Sequence, residues 1–175
     1  ADETNIKILE EALARNEVGT TNDPPKGPTT ESADVPDNTY ADGQRANRAC
    51  QLLENFSEAT GTPFFLAVGL TKPHLPFVAP QKYWDLYNRE DFKMPANKGI
   101  PPGYPLDAAN PKAYELRKYS DILGKEPKDF PMEVNQRLLH GYAACVSYAD
   151  ACVGKILATL EETGLDKNTI VVLWG

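Results

Sequence analysis

The stretch "PFFLAVGLTKPHLPF", residues 63–77, decides how the chain is read. Its core, "FFLAVGL" at 64–70, is a continuous apolar run and not an alternating one. That pattern predicts a strand covered on both faces, as in a parallel sheet. Prolines at 73, 76 and 80 then predict a rigid, extended loop. Lys72 and His74, one of only two histidines, stand where strand gives way to loop.

Upstream, "TYADGQRANRACQLLENFSEATG" (39–61) predicts a helix from about Asp42. Ala46, Ala49, Cys50, Leu53 and Phe56 recur at helical spacing and make one buried face. Gly61 is a plausible stop, and Pro63 blocks continuation. Residues 16–38 are rich in Pro, Gly, Thr and Asp without periodicity and predict a loop; 4–15 read as a short amphipathic helix. Downstream, "PQKYWDLYN" predicts a short helix on which Tyr83, Trp84 and Tyr87 are packing residues. Residues 89–130 read as mostly irregular, with a second short helix at "NPKAYELRKYSD".

The longest predicted helix runs over 131–163, with Leu139, Tyr142, Ala143, Val146, Ala149, Val153, Ile156, Leu157 and Leu160 as its apolar stripe and Gly164 as its cap. Gly141 and Gly154 inside it point to close packing against neighbours. A second solid apolar strand, "TIVVLWG", follows at 169–175. Strands joined through helices define an α/β chain with part of a mostly parallel sheet flanked by helices. Two buried strands leave much of a sheet unaccounted for. The expectation is therefore a single partial domain over 1–175, truncated at both ends and internal to a larger protein.

Composition is that of a soluble globular chain, with 41% apolar and 25% charged residues among 175. A net charge of −7 argues against nucleic acid as a partner, since phosphate binding needs clustered Lys and Arg, yet permits a local pocket for a small anion. No window approaches the ~18 apolar residues of a span, so no membrane partner is expected. Cys50, Cys145 and Cys152 lack metal-site spacing. The last two stand two helical turns apart, roughly 10 Å, too far for a bridge. All three read as buried small hydrophobes.

Ligands of open parallel sheets bind at the carboxyl ends of strands, and that rule selects Thr71-Lys72-Pro73-His74. Lysine supplies a compact positive charge and histidine a proton or two hydrogen bonds. The pair suits a tetrahedral oxyanion and the protonation of a departing alcohol. A loop with a solvated lysine and a capping histidine remains the alternative. His140 reads as a surface or satisfied helix histidine, Asp150 as structural, and Asp34, Asp37 and Asp42 as turn or N-cap residues, not a metal loop. No Gly-rich phosphate loop, G-x-S-x-G or H-E-x-x-H is present.

"PFFLAVGLTKPHLPFVAPQKYWDLY" resembles the middle of a sulfatase of the iduronate-2-sulfatase-like type, in the alkaline-phosphatase-like superfamily. "DVPDNTYADGQRANRACQLL" and "LLHGYAACVSYADACVGKILATLEETGLDKNTIVVLWG" resemble the same family in the same order, so the likeness covers about 24–175. It implies an enzyme hydrolysing sulfate esters, of a sulfated small molecule or saccharide. His74 would contact sulfate and help the leaving group depart, and Lys72 would bind substrate or shape the pocket. It also implies Ca2+ and a formylglycine nucleophile made from the Cys of a C-x-P-x-R motif. None of the three cysteines fits that motif, and the family's metal-binding Asp pairs are not in the chain. A piece without them is expected to be inactive alone. A phosphoester or phosphonate hydrolase of the superfamily, or a non-catalytic α/β module, stays open. So does oligomeric state, and the family suggests a periplasmic, secreted or lysosomal setting.

Overall fold

The computed structural model describes residues 26–59, 61–96, 101–105, 115–122, 125 and 130–175. The expected helix at 4–15 lies outside the described residues. Five elements carry the architecture: β1 (Thr30–Glu31), α1 (Ala41–Glu58), β2 (Phe77–Val78), α2 (Gln81–Trp84) and α3 (Met132–Glu162). Short 3-10 turns occur at Asp37–Thr39, Arg89–Asp91, Leu116–Lys118 and Leu165–Asn168. The chain is α/β, with β1 and β2 paired in parallel, Thr30 opposite Phe77 and Glu31 opposite Val78.

α1 forms as its sequence dictates. Ala46, Ala49, Cys50 and Leu53 are buried on one face, and Phe56 stacks on Phe64 with centroids 4.7 Å apart. The helix stops where Ala59 N–H donates to Phe56 O, and Gly61 then takes φ +83°, a left-handed turn that glycine accepts at no steric cost. α3 likewise ends at Gly164, with φ +73°.

The two long apolar runs depart from expectation. Residues 64–70 and 169–175 form no ladder among the described residues, and Phe65 and Ile170 are each 91% exposed. A run suited to the middle of a parallel sheet needs a neighbour on each edge and a layer on each face; here those neighbours are missing. The parallel pair is instead made by two short segments that flank the loop.

The buried face of α3 also differs. Of the expected stripe Leu160 is buried, but Tyr142, Val146 and Leu157 are exposed; the covered face is His140, Gly141, Ala144, Cys145, Tyr148, Cys152, Thr159 and Leu160. α3 is apolar around much of its circumference, and period alone does not choose which stripe is covered. By length and hydropathy α3 is enough to cross a membrane, which corrects the expectation that no window is; here it packs along α1 and α2.

Small residues on the covered face permit close approach. A Cβ on Gly141 would lie 2.8 Å from both Phe77 Cβ and Trp84 Cη2, whereas Gly154 faces open space. Tyr148 is fully buried; its hydroxyl donates to Asp37 O (2.8 Å) and accepts from Gly43 N–H (2.6 Å). A Cβ on Gly43 would meet Asp37 O at 2.1 Å, so only glycine lets α1 start there. The three cysteines are free and buried, as expected.

Candidate active site

The loop after the 64–70 run turns; it is not extended. His74 N–H donates to Thr71 O (3.0 Å), and the Lys72-Pro73 and Leu75-Pro76 bonds are cis. Lys72 folds under the turn and its ammonium donates to His74 O (3.1 Å) and Pro76 O (2.6 Å). Burial pulls the Lys72 pKa below its ordinary value, partly opposed by the Asp42 carboxylate. Two of its three N–H groups are thus spent on backbone, and the structure brings it to the carbonyl of His74, not to its ring.

His74 points outward, its side chain 60% exposed. Nδ1 lies 2.8 Å from Leu75 O. A carbonyl only accepts, so Nδ1 carries the proton and Nε2 is the nitrogen presented outward. Nε2 stands 3.5 Å from Glu115 Oε2. The other Glu115 oxygen accepts from Lys26 Nζ at 2.7 Å, and this bond is the main reason the Glu115 carboxyl lies below its usual range and Lys26 above its own. Beside the turn, an open groove of about 470 Å³ is lined by Lys26, Glu31, Leu75, Pro76, Val78 and Tyr119.

The strand exit is held from α1. Asp42 is 2% exposed, and its carboxylate accepts from Thr71 N–H (3.0 Å to each oxygen), Lys72 N–H (2.8 Å) and Arg45 Nη1 (2.5 Å). Asp42 is thus neither a turn residue nor the N-cap expected: Tyr40 stands at the cap without a side-chain bond, and Asp42 holds a segment 29 residues away. Asp37 accepts from Tyr83 Oη (2.9 Å) and pairs with Lys82 (2.8 Å); Asp34 and Asp150 are exposed.

His140 is a satisfied helix histidine and not a surface one. Its Nε2 donates to Trp84 O (2.8 Å), its Nδ1 accepts from Arg89 Nε (3.4 Å), and its ring packs on Trp84 and Phe92. Tyr83 and Trp84 are buried packing residues, while Tyr87 is 36% exposed.

Neither implied cofactor fits the described residues. They contain no group of three or more His, Cys, Asp or Glu able to hold a metal ion. Cys50, Cys145 and Cys152 are buried free thiols, and none begins a C-x-P-x-R sequence. Asp42, Glu115 and Lys26 are the site residues that sequence reasoning did not assign to this loop. No spacing signal joins them to His74, because each reaches it only through the fold.

The sequence model of the sulfatase family matches residues 9–175, and the chain belongs to that family. It is 36% identical over 146 residues to iduronate 2-sulfatase of Homo sapiens, a match covering 79% of this chain and 26% of that protein. It is 32% identical to a sulfatase of Formosa agariphila (71% and 24% covered) and 30% identical to choline-sulfatase of Rhizobium meliloti (70% and 22%). The chain spans about a quarter of the length of these relatives.

Proposed function

We propose that the whole protein is a sulfatase that hydrolyses sulfate esters, on a saccharide substrate, and that His74 is its leaving-group acid. The observation that carries this reading is the orientation of His74. Leu75 O fixes Nδ1–H, and Nε2 lies on the exposed side of the turn that follows the 64–70 run, 3.5 Å from Glu115 Oε2. When the ring is doubly protonated, Nε2–H can pass its proton to the alcohol oxygen as the S–O bond breaks, and the ring is left neutral with Nδ1–H still held. Lys72, its ammonium bonded to His74 O and Pro76 O, shapes the turn that carries the ring.

The family's calcium and formylglycine have no fitting residues among those described, so no step is assigned to them. We place that chemistry on the three quarters of the relatives' length that this chain does not span, along with the rest of an alkaline-phosphatase-like parallel sheet. The 175 residues alone are then inactive.

In the full-length protein, His74→Ala is expected to lower kcat on an aryl sulfate by roughly 10²–10⁴-fold while the fold is retained. Unchanged turnover removes His74 from the mechanism and favours a non-catalytic loop. Faster turnover of an aryl phosphate than of the aryl sulfate overturns the substrate class, since both esters are tetrahedral and His74 does not separate them. Metal-dependent turnover by residues 1–175 alone contradicts the placing of the missing chemistry.

A further inference from the structure

We infer that Asp42 is the positioning residue of the His74 site, a buried carboxylate on the first turn of α1 that sets where Nε2 stands. The inference rests on the catalytic reading of His74 and extends it to a residue that touches neither His74 nor substrate. Three observations meet at Asp42.

First, its two oxygens gather the consecutive backbone N–H groups of Thr71 and Lys72 together with the Arg45 guanidinium. Arg45 in turn donates to Thr71 Oγ1 at 2.7 Å, so the same residue is gripped by backbone and by side chain. Only an acceptor-only group with two oxygens satisfies that set. An asparagine in its place turns an NH2 toward a donor.

Second, the clamp is itself anchored. The next residue, Gly43, donates to Tyr148 Oη, and Tyr148 is fully buried against α1 and α2 residues. Asp42 therefore connects the loop to the rigid core and not to another loop.

Third, the path from Asp42 to the imidazole is hydrogen-bonded at every stage. Thr71 O accepts from His74 N–H, the Lys72 ammonium holds His74 O and Pro76 O, and Leu75 O holds Nδ1.

The test is a double-mutant cycle in the full-length sulfatase, with Asp42→Asn, His74→Ala and the pair assayed on an aryl sulfate, and with the thermal midpoint of each recorded. Asp42→Asn is expected to lower kcat by roughly 10²-fold, the cost of misplacing a catalytic group by about 1 Å, with KM little changed. On the His74→Ala background the same change is expected to lower kcat no further, because the group it positions is gone. Arg45→Met loosens the clamp from its solvent side and provides the same cycle where Asp42→Asn yields no folded enzyme; a loss of roughly 10-fold is expected, again absent without His74.

The inference is overturned if the folded variant keeps wild-type kcat. It is equally overturned if the loss is as large without His74 as with it, the mark of a general structural role. An active His74→Ala single variant would instead overturn the catalytic reading on which the inference stands.

Discussion

One side of α3 presents Ala144, Cys145, Tyr148 and Cys152, all sealed against α1 and α2. Its other side presents Tyr142, Val146 and Leu157 to solvent, and the apolar runs at 64–70 and 169–175 are as bare, with Phe65 at 91% and Trp174 at 81% exposure. Both regions are apolar, yet they are built differently. The sealed side mixes small residues with a hydrogen-bonded tyrosine, because backbones approach closely there and each buried polar group must be paired. The bare positions include the large side chains Phe65, Tyr142, Ile170, Leu173 and Trp174, with no buried, hydrogen-bonded tyrosine of the Tyr148 kind among them. Soluble monomers rarely expose much contiguous apolar area. The contrast separates a covered face from an uncovered one, and we propose that chain from the rest of the relatives' length covers the second.

The largest effect should come from the covered side. Gly43→Ala puts a Cβ at 2.1 Å from Asp37 O and 2.5 Å from Asp37 C, backbone atoms that cannot rotate away. A loss of about 4 kcal/mol or more is expected, read as insoluble protein or a collapsed urea midpoint. Near-normal stability would mean that the start of α1 is not fixed against the Asp37 turn.

The sharpest test of the contrast uses Phe65. In the full-length protein, where we place this ring inside a sheet layer, Phe65→Ala should cost about 3–5 kcal/mol. In residues 1–175 alone the same change should stay within about 0.5 kcal/mol, as for any exposed side chain. The isolated chain should also bind a hydrophobic dye and self-associate. Equal costs in the two contexts would break the comparison.

Sequence pattern reached the parts of this molecule that depend on near neighbours along the chain. The buried stripe of α1 and both glycine stops follow from spacing and from the φ each residue tolerates. The parts it missed depend on what lies across space. Tyr142 and Val146 satisfy helical periodicity as well as Cys145 and Tyr148 do, so the covered face of α3 is decided only by α1 and α2. Asp42 reads as an ordinary first-turn acid, since nothing local says that its acceptors meet Thr71 and Lys72. Residues 64–70 read as a core strand by pattern but form no ladder among the described residues, because pairing needs a neighbouring strand that the run itself does not specify.

A smaller effect separates two glycines that look alike in sequence. Gly141→Ala puts a Cβ 2.8 Å from Phe77 Cβ, which the backbone fixes, and 2.8 Å from the buried Trp84 ring, so about 3 kcal/mol is expected. Gly154 faces open space, and Gly154→Ala should stabilise by up to about 1 kcal/mol, as helix propensity predicts. A destabilised Gly154→Ala in the full-length protein, with a stabilised one in residues 1–175, would locate part of the covering layer against that turn of α3.

The smallest effect concerns a surface that is exposed for an ordinary reason. Lys26 and Glu115 pair at 2.7 Å with side chains 40% and 43% exposed, so solvent screens them. Glu115→Gln should cost less than about 1 kcal/mol. The pH dependence has a definite sign. The folded pKa of Glu115 lies below its ordinary 4.5, so its contribution is complete above 4.5 and is lost as pH falls through the depressed value. Lys26 lies above its ordinary 10.5, so its share is complete below 10.5 and is lost as pH rises through the raised value. The difference in thermal midpoint between wild type and Glu115→Gln should therefore vanish in acid, once the carboxyl is protonated. A difference that instead grows with acidity, or that survives molar salt undiminished, would mean that this pair is shielded from solvent, and the line between exposed polar surface and uncovered apolar surface would have to be redrawn around it.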